Sequence, residues 1–223
     1  VEYESNDFLQ LDLHLKKQLN IKPDFALYEK LKLIASQRNI YFLTNLGLLF
    51  SQHKNSYFPY AKIECARFKG TTTKVFIDQA SYDADIIESI EFTMEFIQRN
   101  IRLGATIGEI YRENRWEYPL LAIREVLINA VVHRNYAVTG SDIKVAIYDD
   151  MVEITSPGVL NIDKQKLGYG YSELRNPHFG LLFKKLKLIE QWGTGFEKIY
   201  QSLNDYPQIK LNVDDDIVYV FIK

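Results

Sequence analysis

The stretch that decides the fold is REVLINAVVHRNY, residues 124–136. Apolar residues fill most of its positions, and we predict a buried helix over residues 120–134. Glu125, Asn129 and His133 recur every four residues and therefore share one face of that helix. A buried helix must satisfy such polar groups, and a ligand pocket beside a sheet would do so. A solvated polar stripe is the alternative interpretation of the same spacing.

The chemistry of this row suits a magnesium ion. Mg²⁺ takes oxygen ligands and keeps several of its waters, and Asn129 offers one carbonyl oxygen. Glu125 has the chemistry to orient or deprotonate an attacking water. If the row faces a pocket, it therefore predicts a magnesium-dependent site.

The segments around this helix alternate between helical and strand-like patterns. We predict further helices over 83–101, 179–190 and 196–203, hairpins over 143–155 and 209–222, and a polar connector over 102–118. This order implies an α/β (α+β) fold, a two-layer sandwich with helices on one face of a mixed β-sheet. The lack of regular βαβ alternation argues against a Rossmann sheet.

The first third of the chain reads as a small N-terminal α+β lobe, residues 1–78, ahead of a domain over residues 79–223. Residues 1–20 show only a weak pattern. In the rest of the lobe we predict helices over 24–36 and 41–50 and a hairpin of strands over 61–68 and 73–77.

Composition excludes several classes of protein. The 223 residues carry a formal net charge of −2, which is not the charge of a domain that binds nucleic acid mainly through its phosphates. The single cysteine, Cys65, excludes an internal disulfide, and no P-loop motif is present, which excludes a P-loop motor. We expect a soluble cytoplasmic chain without a membrane span, and Val1 at the start indicates a fragment of a longer protein.

Three further segments each have two interpretations. Gly193-Thr194-Gly195 before a helix is either a phosphate-binding turn or a tight connection. Ser156-Pro157-Gly158 either lets a ring or sugar approach the backbone or ends a strand. Arg175 has the donors to clamp a phosphate, while Asn176-Pro177 equally suits the cap of the next helix.

These residues together resemble a known family. YPLLAIREVLINAVVHRNYAVTGSDIKVAIYDDMVEITSPGVL, then ELRNP and IEQWGTGFEKI, are similar to the C-terminal region of bacterial RecG-related ATP-dependent DNA helicases, which are also described as transcriptional regulators. In that family a Schlafen/AlbA-type lobe precedes this region. The resemblance is specific over residues 117–203. The region is in turn similar to the Bergerat (GHKL, HATPase-like) fold, which implies ATP with Mg²⁺ between helices and a lid loop.

The resemblance assigns roles to individual residues. It implies Glu125 as the catalytic base and Asn129 as the magnesium ligand, with His133 at the end of the same motif. On the adenine side it implies Gly158, and Ser156 stands where those ATPases carry an aspartate. On the phosphate side it implies the glycines of Gly193-Thr194-Gly195, and it places the lid at residues 161–175. We include Arg175 and Asn176 in the predicted nucleotide site.

Three hypotheses follow. The first is a module that binds Mg-ATP, and the sequence leaves open whether it is an ATPase that hydrolyses the nucleotide. The second is a non-catalytic regulatory or dimerisation domain of a DNA-binding regulator that has lost ATP. The third is direct DNA binding through Lys184, Lys185 and Lys187, for which a solvated helix face is the alternative. We expect DNA to be bound through a lobe outside this chain, and the sequence leaves a homodimer open.

Overall fold

The computed structural model describes residues 1–20, 22–107, 112–169, 173–189 and 194–223. The chain begins with short helices and strands that pack around a common apolar core. In chain order these are α1 (Leu9–Leu19), α2 (Phe25–Lys30), β1 (Ile34–Gln37), β2 (Ile40–Leu43), α3 (Asn45–Leu49) and α4 (Lys54–Tyr57).

This part of the chain corrects the sequence analysis. The helix predicted over 24–36 is wrong, because α2 ends at Lys30 and β1 pairs antiparallel with β2. The helix predicted over 41–50 is half right: β2 comes first, and α3 begins after Thr44, whose hydroxyl caps it by accepting from the Gly47 N–H at 3.0 Å. Residues 1–20, read as weakly patterned, contain α1, whose apolar face is buried.

A six-stranded mixed sheet forms the centre of the molecule. The sequence analysis predicts a mixed sheet, but it assigns the hairpin of residues 61–77 to the N-terminal lobe, whereas the structure places it in this sheet. Its strands are β3 (Ile63–Phe68), β4 (Phe76–Tyr82), β7 (Ile143–Ile147), β8 (Met151–Thr155), β9 (Lys210–Asp214) and β10 (Val218–Ile222). They lie in the order β4-β3-β7-β8-β10-β9, in which only the β3–β7 pair is parallel. Val152 and Ile154 are fully buried while Glu153 between them is half-buried, so one sheet face belongs to the core.

Four helices accompany this sheet: α5 (Ile86–Asn100), α6 (Leu120–Val132), α7 (Pro177–Lys185) and α8 (Gly195–Asn204). Helices α5 and α6 cover the buried face. Helix α5 packs on β3 and β4, and α6 packs on β8 and against both α5 and α8. The four helices and the two C-terminal hairpins confirm the predictions, with α7 ending earlier than expected. The connector predicted over 102–118 is instead a hairpin of β5 (Leu103–Ile107) and β6 (Arg112–Trp116).

The sheet continues across the position at which the sequence analysis divides the chain. Strand β4 spans residues 78 and 79, and β3 pairs with β7 of the second predicted domain. The division into domains 1–78 and 79–223 stays a prediction. Within the described ranges, no helix combines the length and the apolar character that a membrane span requires.

Candidate functional site

Helix α6 supplies the centre of the candidate site. It starts after Pro119 and is buried on most of its circumference between the sheet and α8. Glu125, Asn129 and His133 follow one another along it at the predicted four-residue spacing. Glu125 is buried, and the other two are half-buried. The row is therefore neither a solvated stripe nor sealed beneath apolar side chains.

Glu125 is held by a neighbouring cation. Its Oε1 accepts from Arg124 Nη1 at 2.8 Å, and Arg124 Nη2 donates to the Leu188 carbonyl at 3.3 Å. The carboxylate is only 7% exposed. A buried carboxylate needs such a partner, because an uncompensated charge in the interior is costly.

Gly195 lies directly over Glu125 and Asn129. A Cβ at Gly195 would stand 3.7 Å from Glu125 Oε2 and 3.9 Å from both Asn129 amide atoms. Gly195 is the first residue of α8, after Thr194, whose carbonyl accepts from the Lys198 N–H at 3.0 Å. An acid, an amide and a helix N-terminus thus lie next to one another, and their predicted roles stay predictions. The remaining residue of this turn in the predicted site, Gly193, lies outside the described residues.

His133 marks the end of α6. Its N–H donates to the Asn129 carbonyl at 2.8 Å. Burial, with a smaller effect of the Arg175 charge, lowers the pKa of the His133 imidazole to about 4. At neutral pH the ring is therefore uncharged, and it would meet an anionic ligand as a dipole, not as a cation.

Arg175 forms hydrogen bonds to the loop that follows β8. Its guanidinium donates to the Val159 carbonyl and to Asn161 Oδ1, which ties the segment before α7 to residues 159–161. Its predicted contact with a phosphate stays a prediction, because it requires the guanidinium to exchange these partners.

Asn176 caps α6 from a distant part of the chain. Its Nδ2 donates to the carbonyls of Val132 at 2.7 Å and Arg134 at 2.8 Å, which are orphan acceptors at the helix end. The alternative that Asn176-Pro177 caps the next helix is confirmed in position, since Asn176 is the N-cap residue of α7 and Pro177 lies in its first turn, although the Asn176 side chain makes no capping hydrogen bond to α7. A role in nucleotide binding stays a prediction.

Ser156 and Gly158 lie where β8 ends. Ser156 is 1% exposed, and its hydroxyl donates to the Ala130 carbonyl of α6 at 2.6 Å. Gly158 has φ +140°, and a Cβ there would be 3.3 Å from Asn135 Cβ, so glycine is required by the backbone itself. These contacts support the interpretation as the end of a strand, and the adenine-side roles stay predictions.

Arg134 is the residue whose role the sequence analysis missed. It is fully buried and donates to the carbonyls of Asn135 at 2.9 Å, Val138 at 3.1 Å and Ser141 at 2.6 Å. Its guanidinium also lies 5.0 Å from the ring centroids of Tyr60 and Tyr136. The signal in the sequence was an arginine at the end of a buried apolar helix, with a tyrosine two residues further on.

Oxygen atoms at this site suit a hard cation. In the parts of the chain that the structure describes, no three His, Cys, Asp or Glu side chains gather around a common metal position. Glu125 and Asn129 could supply two oxygen ligands, and Mg²⁺ typically completes its shell with water and phosphate. The donor set therefore fits magnesium carried by a phosphate ligand better than a site built from protein alone.

Comparison with known families and structures bears on the last part of the chain. Residues 140–223 match the family described as "Putative ATP-dependent DNA helicase recG C-terminal". The match confirms the predicted resemblance for residues 140–223, which are similar to this C-terminal region. It includes Ser156, Gly158 and Gly195, but Glu125 and Asn129 precede it. A search of curated proteins finds no match for the chain.

A solved structure extends the comparison to nearly the whole chain. The fold is similar to the crystal structure of the DIP2311 protein from Corynebacterium diphtheriae, with a TM-score of 0.78 and 16% sequence identity. The superposition covers 97% of this chain and 44% of that chain, so this chain spans less than half of that protein. At this identity the likeness shows the shared fold alone.

Proposed function

We propose that this protein binds a nucleoside triphosphate together with Mg²⁺ between α6 and α8. The observation that carries the proposal is the convergence of Glu125 and Asn129 beneath Gly195 at the N-terminus of α8. The family match over residues 140–223 supports an ATPase-like region.

Each of these groups has a distinct task in the proposal. Asn129 gives a carbonyl oxygen to Mg²⁺, and the exposed N–H groups at the start of α8 bind phosphate oxygens. Because Gly195 has no side chain, a phosphate can approach the backbone N–H groups at the start of α8 on the side next to the carboxylate. Glu125, held by Arg124, is placed to orient a water molecule toward the terminal phosphate.

The nucleotide base has fewer polar side chains available for its recognition than the phosphates have. The Ser156 proton is already donated to Ala130, so its hydroxyl is left to act only as an acceptor, and it is almost fully buried. We therefore expect phosphates and magnesium to supply more of the affinity than the base does.

The second candidate is a regulatory domain that does not bind nucleotide. The observation that favours it is that Ser156, Arg175 and Asn176 all donate to acceptors within the protein. In this case the hydrogen bonds around α6 serve stability, and the site under Gly195 has no ligand.

A titration with a non-hydrolysable ATP analogue and Mg²⁺ separates the two candidates. We expect saturable heat and a rise of a few degrees in the unfolding temperature at millimolar ligand, because a ligand that binds only the folded state stabilises it. Both effects should disappear without Mg²⁺ and in Asn129→Ala. Asn212→Ala, which removes an exposed amide from β9, is the matched control and should bind like the parent chain.

Gly195→Ala tests the geometry directly. The added methyl would make only ordinary contacts at 3.7–3.9 Å, so the fold should tolerate it. It would nevertheless occupy the space between the carboxylate and an incoming phosphate, and we expect binding to weaken at least about tenfold while stability is unchanged or slightly higher. Binding equal to that of the parent chain would place the nucleotide elsewhere, and no binding by the parent chain would favour the regulatory candidate.

A further inference from the structure

The two edge strands of the six-stranded sheet, β4 and β9, differ in character. The exposed positions of β9 are the polar residues Lys210, Asn212 and Asp214, and charged side chains on an edge strand discourage pairing with another chain. Strand β4 has seven residues against five in β9, and it begins with apolar side chains: Phe76 is 56% and Ile77 is 57% exposed. The β9 edge therefore carries a protection that the β4 edge lacks.

The outer side of β4 carries backbone groups that no other strand in the described part of the chain pairs with. The Lys62 carbonyl accepts from the Ile143 N–H of β7 at 3.3 Å, so the next residue of β3 turns its backbone groups toward β4. Its partner in β4 is Tyr82, and every second residue from there faces inward. The residues whose backbone groups face outward are Ile77, Gln79 and Ser81. The Gln79 N–H contacts the neighbouring Asp78 carboxylate at the surface.

The outer side of β4 is complementary to itself in one register. Two residues that face outward must lie opposite each other for their N–H and C=O groups to bond. Gln79 is the middle residue of β4, so an antiparallel pair with Gln79 on the two-fold axis aligns all seven residues of both strands. Ile77 then lies opposite Ser81, and Asp78 lies opposite Ala80, so like charges do not face each other. The outward pairs would form about six hydrogen bonds.

Aromatic side chains on the helix side of the sheet fit the same register. Phe76 comes to lie opposite Tyr82 of the second copy. Within one copy Tyr82 already contacts Phe92 of α5, with ring centroids 5.8 Å apart, and Phe92 is itself exposed. The exposed Phe76 ring would thus join an existing aromatic pair, and ring contacts of this kind are favourable beyond the area that they bury.

The charges of α5 fit this register as well. Arg99 Nη2 donates to the Asp78 carboxylate at 3.0 Å, so Arg99 lies beside the edge strand. Glu95, one turn earlier on α5, is exposed. The two-fold axis reverses the direction of the second α5, which brings Arg99 of one copy level with Glu95 of the other. Each side of the axis therefore gains a pair of opposite charges, and such complementarity favours one mode of association over others.

We propose that two copies of this chain pair through β4 to form a homodimer in which their two sheets become one continuous sheet. The interface is isologous, as a two-fold dimer requires. Backbone hydrogen bonds set the register, and the exposed apolar residues of β4 are removed from water. The dimer interface is separate from the proposed nucleotide site, because Glu125 and Asn129 lie on α6, which packs on β8.

The test is sedimentation equilibrium of the whole chain from about 1 to 100 µM, a range suited to a dimer of moderate affinity. We expect a dimer that dissociates on dilution. Gln79→Lys sets two positive charges opposite each other on the axis, and Ile77→Lys adds a charge to the apolar end of the strand. Each should weaken the dimer Kd about fivefold or more. An equal mixture of Gln79→Lys and Gln79→Glu should dimerise at least as well as the parent chain, because opposite charges then meet on the axis.

Asn212→Lys is the matched control, since it places the same charge at the exposed middle residue of β9 on the other edge. It should leave Kd within about twofold, and all variants should keep the circular dichroism spectrum of the parent chain. A parent chain that stays monomeric at about 100 µM would overturn the proposal and would favour a strand from a different protein as the partner of β4. Equal weakening in Asn212→Lys, or no recovery in the mixture of charge variants, would also overturn it.

Discussion

The two halves of helix α6 use polar groups in opposite ways. Glu125 and Asn129 lie close beneath Gly195, where a Cβ would be 3.7 Å from Glu125 Oε2 and 3.9 Å from the Asn129 amide atoms. At its C-terminal end, the acceptors of Ala130, Val132 and Arg134 each receive a hydrogen bond from Ser156 or Asn176. One part of the helix presents polar side chains to the start of α8, and the other part has its backbone carbonyls bound by the protein itself.

The polar residues of one sequence motif can therefore have different roles in the structure. Residues that the resemblance joins in one nucleotide site separate into two groups once their partners are known. Ser156 and Asn176 donate to carbonyls of the helix end, where unsatisfied acceptors would otherwise be buried. Glu125 and Asn129 lie beside a helix N-terminus, where anions are stabilised.

The largest expected effect is at the closed end of α6. Arg134→Met removes the donors of three loop carbonyls, and each buried acceptor left unpaired costs about 1–3 kcal/mol. We expect the free energy of unfolding in urea to fall by about 3 kcal/mol or more. Arg102→Met, at an exposed position, should change it by less than about 0.5 kcal/mol. A decrease below about 1 kcal/mol in Arg134→Met would mean that water replaces the guanidinium.

Replacing Asn176 should have a smaller effect, and it should lower stability without lowering the affinity for nucleotide. Asn176→Ala leaves the carbonyls of Val132 and Arg134 without their donor, and we expect about 1–2 kcal/mol less stability in urea. The affinity for the Mg²⁺–ATP analogue should stay within twofold of the parent chain. Should affinity instead fall tenfold with stability unchanged, Asn176 would belong to the nucleotide site, and the division of α6 would be wrong.

The smallest effect concerns pH. The pKa of folded His133 is about 4, below the value of about 6.5 for an unfolded histidine, so between these values the unfolded state binds more protons. Stability from this residue is complete above pH 6.5 and is lost as the pH falls toward 4.

We therefore expect the unfolding temperature to fall less between pH 7 and pH 5 in His133→Gln than in the parent chain. The difference should be a few degrees in calorimetry. His178→Gln, which changes an exposed histidine of α7, is the control and should follow the parent chain. Identical pH profiles for His133→Gln and the parent chain would show that the ring is hydrated.

Long periodic segments of the sequence predicted their structure well. Helices α5 and α6 and the hairpins ending at Thr155 and Ile222 follow from apolar spacing and turn residues. The β5–β6 hairpin was missed because the sequence of β6, RENRW, shows no alternation of apolar and polar residues. The long helix predicted over 24–36 was wrong because Ile34 and its neighbours pair with β2, and apolar spacing in a short segment does not separate helix from strand.

The candidate site was predictable only where the spacing alone carried the information. The row of Glu125 and Asn129 is local to one helix, so the sequence placed both on one face. The roles of Arg134 and Asn176 depend on carbonyls that distant segments bring near, such as the loop over residues 135–141 and the end of α6. The apolar periodicity of a sequence carries no information on such distant partners. The structural roles of Arg134 and Asn176 were therefore not predicted.

The parallel pairing of β3 with β7 has a consequence for dissecting the molecule. A piece beginning at residue 140 would keep the four antiparallel strands β7-β8-β10-β9 and would remove the neighbour of β7, leaving an open row of backbone donors and acceptors. It would also lack α6, so the apolar side of β8 would be bare. We therefore expect that the stretch outlined by the family comparison needs β3 and α6 in order to keep its sheet edge paired and its apolar face covered.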